Sequence, residues 1–228
     1  MARRAEVLED LAAALPRPAD QSHDSLAVDF SSWQDVRTAV SDQVDAVGPV
    51  TLLVNNTGGP GFGELQEAEP EALAAGFEQH VLAFQALTKA VLPGMIEAGF
   101  GRIVNIISTS VVTPIRQLGV SNTIRGSVAN WGRTLAAELG SSGVTVNNVL
   151  PGYIDTERLE ASMSRRAEAA GVSFDEMAER VTASVPAGRL GTPEDIGATV
   201  AFLCSPAAGY VNGVNLPVDG GRLVSLNT

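Results

Sequence analysis

Groups able to move a proton are scarce in this sequence. Of its fifteen basic residues fourteen are arginines, and Lys89 is the single lysine. Tyr153 and Tyr210 are the tyrosines, His23 and His80 the histidines, and Cys204 the one cysteine. An imidazole has an ordinary pKa suited to acid–base work near neutrality. A serine hydroxyl is a poor acid or base there, and a guanidinium keeps its proton in almost any site. A lone cysteine closes no intrachain disulfide and no cysteine-cluster metal site, so no metal is expected. A second candidate is the run Gly58-Gly59-Pro60-Gly61-Phe62-Gly63, since glycine-rich turns expose backbone N–H groups to phosphate. Glu64, Glu67, Glu69 and Glu71 crowd the helix start behind it, which suits the helix dipole but repels a pyrophosphate. A structural turn is therefore the favoured reading of that loop.

The elements that must position these groups follow from periodicity. Glu6–Leu15 reads as a helix ending before Pro16-Arg17-Pro18, and Ser25–Phe30 as a short strand. Ser31 or Ser32 caps a helix through about Val47, with Asp35 placed as in a capping box. Val50–Val54, Gly101–Ile107, Val144–Leu150 and Val211–Val218 read as strands, the first a continuous apolar run typical of a strand buried on both faces and the second another buried strand. Helices are expected from Pro70 to about Glu97, from Ser121 to Leu139, over a charged region near 157–183, and from a Thr192 cap to about Cys204. Strand–helix units repeated in this way predict one doubly wound parallel α/β domain spanning 1–228. Hydrophobic residues at 45% supply its core, and a net charge of −11 repels nucleic acid and anionic membranes. There is no apolar stretch of spanning length, and Glu9 and Asp10 follow the basic start where a signal peptide would be apolar. A cytoplasmic location is expected.

Residues as well as pattern then point to a family. Asn55-Asn56-Thr57-Gly58 after a buried strand resembles the NNAG motif of the short-chain dehydrogenase/reductases. Gly101-Arg102-Ile103-Val104-Asn105-Ile106 resembles their next strand, and Pro151-Gly152 with Thr156 the segment after the one beyond. Gly188-Arg189-Leu190-Gly191, Pro193-Glu194-Asp195 and Val218-Asp219-Gly220-Gly221 resemble the C-terminal signature. The likeness runs in order along nearly the whole chain and is strongest to β-ketoacyl-acyl-carrier-protein reductases, especially a divergent subgroup with an imperfect tetrad. It implies a Rossmann-like sheet and an NADP(H)- or NAD(H)-dependent carbonyl or 3-oxoacyl reductase. It also implies an oligomer, homo- or hetero-, built through helices 70–97 and 121–139. Phe77, Phe84, Trp131 and Leu135 are candidates there for either core or interface.

The chain departs from the family twice. Met1–Leu8 resembles the residues that follow the family's second strand, so the first strand–helix–strand and its TGxxxGxG turn are expected to be missing. The absent first strand belongs centrally, between 25–30 and 50–54, which should open the sheet and leave backbone donors unpaired. The second departure is chemical. In the family's Asn, Ser, Tyr and Lys tetrad, the last two share a helical face as Tyr-x-x-x-Lys, and the ammonium lowers the phenol pKa. Alignment places His80 at the asparagine, Ser108 at the serine, Ser121 at the tyrosine and Arg125 at the lysine. No register restores the pair, because Glu157 follows Tyr153 by four, Val214 follows Tyr210 by four, and Gln85 precedes Lys89 by four.

The resemblance implies that Ser108 binds a substrate carbonyl and that Arg125 holds ribose hydroxyls without relaying a proton. His80, or a water held by Ser108, Ser121 and Arg125, is left to supply the proton. The competing readings are a packed His80 and a Ser121 that caps its helix. Arg3 and Arg4 match a basic position that takes the 2′-phosphate of NADPH, or else are solvated charge. Asp29 matches an adenine-contacting aspartate, and Asn55, Gly58, Pro151, Gly152, Ile154 and Thr156 match the cofactor wall. Cofactor binding is expected to be weak or absent. The alternative is a non-catalytic subunit of a hetero-oligomer.

Overall fold

In a computed structural model, which describes residues 1–19 and 21–224, four parallel strands form one sheet in the order β1-β2-β3-β4. They are β1 Leu52–Asn55, β2 Gly101–Ile106, β3 Val144–Pro151 and β4 Asn215–Val218. All six residues of β2 but the last are buried, as are the first seven of β3, so that their apolar residues and also Asn105, Asn147 and Asn148 lie inside. Their side chains alternate between two layers. Ile103, Val144 and Val146 pack against helices α2 (Trp33–Val47) and α4 (Ala83–Glu97) through Val36, Val40, Leu87, Val91 and Met95. Leu150 and Ile107 continue that layer under Phe84, Val128 and Ala129 of α4 and α5 (Gly119–Leu139). Val104 and Val149 face the other way, onto Leu203 of α8 (Pro193–Cys204).

Helix starts follow the expected chemistry. Ser32 accepts from the Asp35 N–H, Thr156 from Leu159 at the start of α6 (Glu157–Ala170), and Ser173 from Glu176 at the start of α7 (Phe174–Ala183). Thr192 and Asp195 form a reciprocal capping box before Pro193. The charged region is thus two helices, parted where Gly171 takes a left-handed φ of 65°. The helix predicted over 70–97 runs as α3 (Pro70–Phe77), a π-helical turn over Glu78–Leu82, and α4. Helix α1, Ala5–Ala14, has no buried residue.

Two strand predictions are corrected. Ser25–Phe30 does not form a strand, and only a bridge between Ala2 and Ala27 forms there, the Val28 N–H donating to Ala2 O at 2.9 Å. A strand needs a partner along its whole length, and this segment has one residue of it. The last strand begins at Asn215, not Val211: the Asn147 side chain takes Val211 O and the Val214 N–H, Asn212 Oδ1 accepts the Val146 N–H, and Gly213 turns through a φ of 74°. β1 is bonded to β2 alone among the described strands, and Leu52 and Val54 stand 47% and 44% exposed.

Register is locked by a row of amides. Asn55 pairs with Asn105, Asn105 with Asn148, and Asn148 with Asn215, one residue on each strand. Asn55 Nδ2 donates to Asn105 Oδ1 at 2.9 Å, Asn105 Nδ2 to Asn148 Oδ1 at 2.8 Å, and Asn148 Nδ2 to Asn215 Oδ1 at 2.8 Å. Helix α5 crosses this row at Gly132, where a Cβ would lie 2.7 Å from Asn148 Oδ1 and 2.8 Å from Asn105 Nδ2. Replacing Asn105 by Leu removes one donor and one acceptor and strands two buried amides, each costing about 1–3 kcal/mol. Urea denaturation of Asn105→Leu should show a loss of about 2–4 kcal/mol, and an unchanged midpoint would mean that the row carries no stability.

Candidate active site

The C-terminal ends of β1, β2 and β3 bring most of the expected site residues to one side of the sheet, where open α/β sheets bind ligands. Arg125 lies in the second turn of α5, buried to 8% exposure. Its Nη1 donates to Ile106 O at the end of β2 (2.7 Å) and its Nη2 to Thr57 O after β1 (3.4 Å). Burial, with the Arg158 charge adding to it, lowers its pKa to about 10, so it stays a cation at pH 7. Ser108 is half-buried and caps a short turn by accepting the Ser110 N–H at 3.0 Å, which leaves its own O–H free to donate. Ser121 is buried within the first turn of α5. Its reading as a helix cap is corrected, because α5 begins two residues earlier, at Gly119.

His80 sits in the π-helical turn with none of its surface exposed. Its Nδ1 is 2.9 Å from Gly76 O. A carbonyl only accepts, so Nδ1 carries the proton in the neutral ring and Nε2 is left a buried acceptor without a hydrogen-bond partner. Burial first and the Arg125 charge second lower its pKa to about 4, against the opposing pull of the Gly76 and Gly58 backbone. At neutral pH His80 is therefore an uncharged ring with no proton to give from Nε2.

The residues expected at a cofactor fall into separate places. Arg3, Arg4, Asp29 and Gly58 line a common cleft of about 510 Å³ together with Asn56 and Thr57. The Asp29 carboxylate accepts the Ser31 N–H at 2.9 Å, and bonds to Ser31, more than the Arg3 charge, hold its pKa down. Asn55 is 1% exposed and serves the amide row, its Oδ1 unpartnered at the open edge of β1. Pro151 pairs with Val218, and Gly152 passes so close to Asp219 that a Cβ would lie 2.6 Å from that residue's Cβ. Ile154 bridges Gly191 and lines a smaller cleft of about 270 Å³, and Thr156 caps α6. The expected cofactor residues thus line two separate places, an arginine-lined cleft and the Pro151–Thr156 turn. Between them, no glycine-rich turn opening a helix faces the cleft among the described residues.

A profile described as enoyl-(acyl carrier protein) reductase matches residues 1–222. The chain belongs to the short-chain dehydrogenase/reductase family. Within it, the 3-oxoacyl-acyl-carrier-protein reductase of Vibrio cholerae is 34% identical over 198 residues, 86% of this chain and 76% of that protein. A protein of Xanthobacter autotrophicus named inactive 2-(S)-hydroxypropyl-CoM dehydrogenase 2 is 34% identical over 197 residues, 86% of this chain and 83% of its own. Among solved structures, a variant of actinorhodin polyketide ketoreductase with NADPH superposes with a TM-score of 0.87 at 32% identity, covering 97% of this chain and 85% of that one. The family's Rossmann-like fold and its nicotinamide chemistry are therefore the frame for this site.

One group of residues was not singled out from the sequence. Arg158 and Arg165 of α6 both stack on Phe62 of the glycine loop, at 4.2 and 5.0 Å from its ring centre. Arg166 and Arg222 stack on Tyr153 at 5.9 and 4.5 Å. The seven-residue spacing of 158 and 165 puts those two on one face of a helix, and that was the available signal.

The His80 environment has a consequence for stability. The unfolded chain takes up a proton near pH 6.5 and the folded ring only near pH 4, so the folded state loses stability as pH falls through that window. Chemical denaturation at pH 7 and pH 4.5 should show a smaller loss in His80→Gln than in the parent, by up to about 3 kcal/mol. Equal losses would place an unperturbed imidazole at this position.

Proposed function

We propose that this chain is a ketoreductase-type member of its family that retains a carbonyl pocket and a weak NADP(H) site but lacks a group to deliver the proton. The observation that carries this reading is the anchoring of Arg125. Its guanidinium ties the end of β2 to the loop after β1, holding the floor of the pocket where the family carries lysine. Two of its five N–H donors are used there, which leaves donors for ribose hydroxyls. The cofactor, when bound, supplies a hydride. Ser108, with its O–H uncommitted, is placed to donate to a carbonyl oxygen such as that of a 3-oxoacyl thioester. Beyond that step the chain has little to offer. Ser121 is a hydroxyl of high pKa, Arg125 keeps its proton, and His80 is neutral. Arg3 and Arg4 favour NADP(H) over NAD(H), since a guanidinium fork matches a 2′-phosphate. Without a glycine nest for the pyrophosphate, the affinity is low.

Fluorescence titration of the native chain tests this directly. NADPH should bind weakly and more tightly than NADH, and Arg3→Ser with Arg4→Ser should erase the difference. Saturation at low micromolar NADPH, or acetoacetyl-thioester reduction at a rate ordinary for the family, would overturn the reading.

A second reading, a non-catalytic subunit of a homo- or hetero-oligomer, is favoured by apolar surface. Phe77, Leu82 and Ile96 along the 70–97 helices are 41%, 38% and 46% exposed, beside the bare Leu52 and Val54 of β1. Phe84, by contrast, is wholly buried, and Trp131 and Leu135 pack partly against the core. Sedimentation velocity should show a species larger than a monomer that Phe77→Glu dissociates, whereas a monomeric parent would remove this reading.

A further inference from the structure

Arg125 and Arg158 meet over the glycine loop. A Cβ on Gly59 would lie 3.2 Å from Arg158 Nη2 and 3.7 Å from Arg125 Nη2, so two guanidiniums converge on one point above that glycine. Arg125 is more than nine-tenths buried, and Arg158 reaches it from solvent, held by a 2.8 Å bond to Pro60 O and by the Phe62 ring, with Arg165 on the same ring. The chain has 26 carboxylates, yet the two ion pairs among the described residues, Arg180–Glu176 and Arg189–Asp195, include none of these arginines. Glu64 and Glu67 line the neighbouring cleft beside the same loop, and the Gln117 amide donates to Glu64. Like charges held this near one another, one of them out of water, repel unless an anion sits between them. Burial first and the Arg158 charge second lower the pKa of Arg125, while burial first and the Arg165 charge second lower that of Arg158.

We infer that Arg125 and Arg158, over Gly59, form a receptor for an oxyanion group, a carboxylate, phosphate or sulfonate carried by a small molecule. The inference rests on the reading of this cleft as a ligand site and names the class of ligand, an anionic one. Gly59 leaves the space, Arg125 supplies the buried fixed charge, and Arg158 closes over the anion from α6. The Phe62 ring, flanked by two guanidiniums, keeps Arg158 extended toward the loop without neutralising it.

The test needs no cofactor and no turnover, so it stands or falls separately from the ketoreductase reading. Calorimetric titration of the native chain at low ionic strength with inorganic phosphate, malonate and methanesulfonate should show saturable one-site binding of at least one probe. Arg158→Gln should weaken that probe about tenfold or more, as expected for losing a charge-assisted bond. Arg133→Gln, an exposed arginine elsewhere on α5, should leave it unchanged. Gly59→Val keeps both charges but fills the point between them, and should weaken the same probe. Which probe binds tightest separates the three sources. Absence of saturable binding for all three, or equal affinities in the parent, Arg158→Gln and Gly59→Val, would overturn the inference. Unfolding curves of each variant separate a lost site from a lost fold.

Discussion

Four asparagine amides in register across the sheet are the constraint on which the site depends. A buried amide without partners costs about 1–3 kcal/mol, so the row is stable only if each strand presents its asparagine at the same height. A slip of one residue would turn a whole strand over and put an amide into an apolar layer. Once Asn105 and Asn148 are fixed, Gly132 lets α5 descend onto them, with Asn148 Nδ2 also donating to Ala129 O. That descent brings Arg125, about two turns earlier on α5, to the Ile106 carbonyl. The distance from sheet to guanidinium is thus set by a side chain that is absent, the one Gly132 lacks.

The same row explains why the open edge matters. It ends on one side at Asn215 and on the other at Asn55, whose Oδ1 finds no donor although the residue is buried. Leu52 and Val54 point to the side that α8 covers over β2 and β3, and over β1 nothing described covers them. Polar and apolar loose ends at one strand are two signs of one fact: β1 has the composition of an interior strand and the position of an edge. This gives physical content to both functional readings, since the open edge adjoins the cleft lined by Arg3 and Arg4 and also exposes apolar surface.

How far the chain was legible depended on how local the signals are. The helix starts read at Ser32 and Thr192 rest on bonds spanning three residues, so sequence suffices for them, whereas the like caps at Thr156 and Ser173 went unread inside one charged region. The central strands were legible because burial on both faces demands continuous apolar runs. Ser25–Phe30 has the same β character, but a strand is a property of a pair, and the one bridge available could not extend it. Val211–Val214 was misread because Asn147 and Asn212, more than sixty residues apart, supply the bonds from their side chains. At the site, the positions of Ser108, Ser121 and Arg125 came from resemblance, while the depressed pKa of His80 follows from its burial and the nearby Arg125 charge, neither visible in sequence. The arginine face of α6 looks in sequence like a solvated charged surface. Only the placing of Phe62 beneath it, ninety-six residues before Arg158, shows otherwise.

A proton relay and an anion receptor make opposite demands on one position. A relay needs a group that changes charge near working pH, as a lysine beside a phenol does. A receptor needs a group that never gives up its charge, even when removed from water. Arg125 satisfies the second demand and fails the first, because its pKa remains near 10 with 92% of its surface covered. Its charge also helps to keep His80 unprotonated, so it silences the one neighbouring group that could have titrated. Arg125, with Ser121 one turn before it on α5, is therefore suited to holding a negative charge in place rather than to passing a proton.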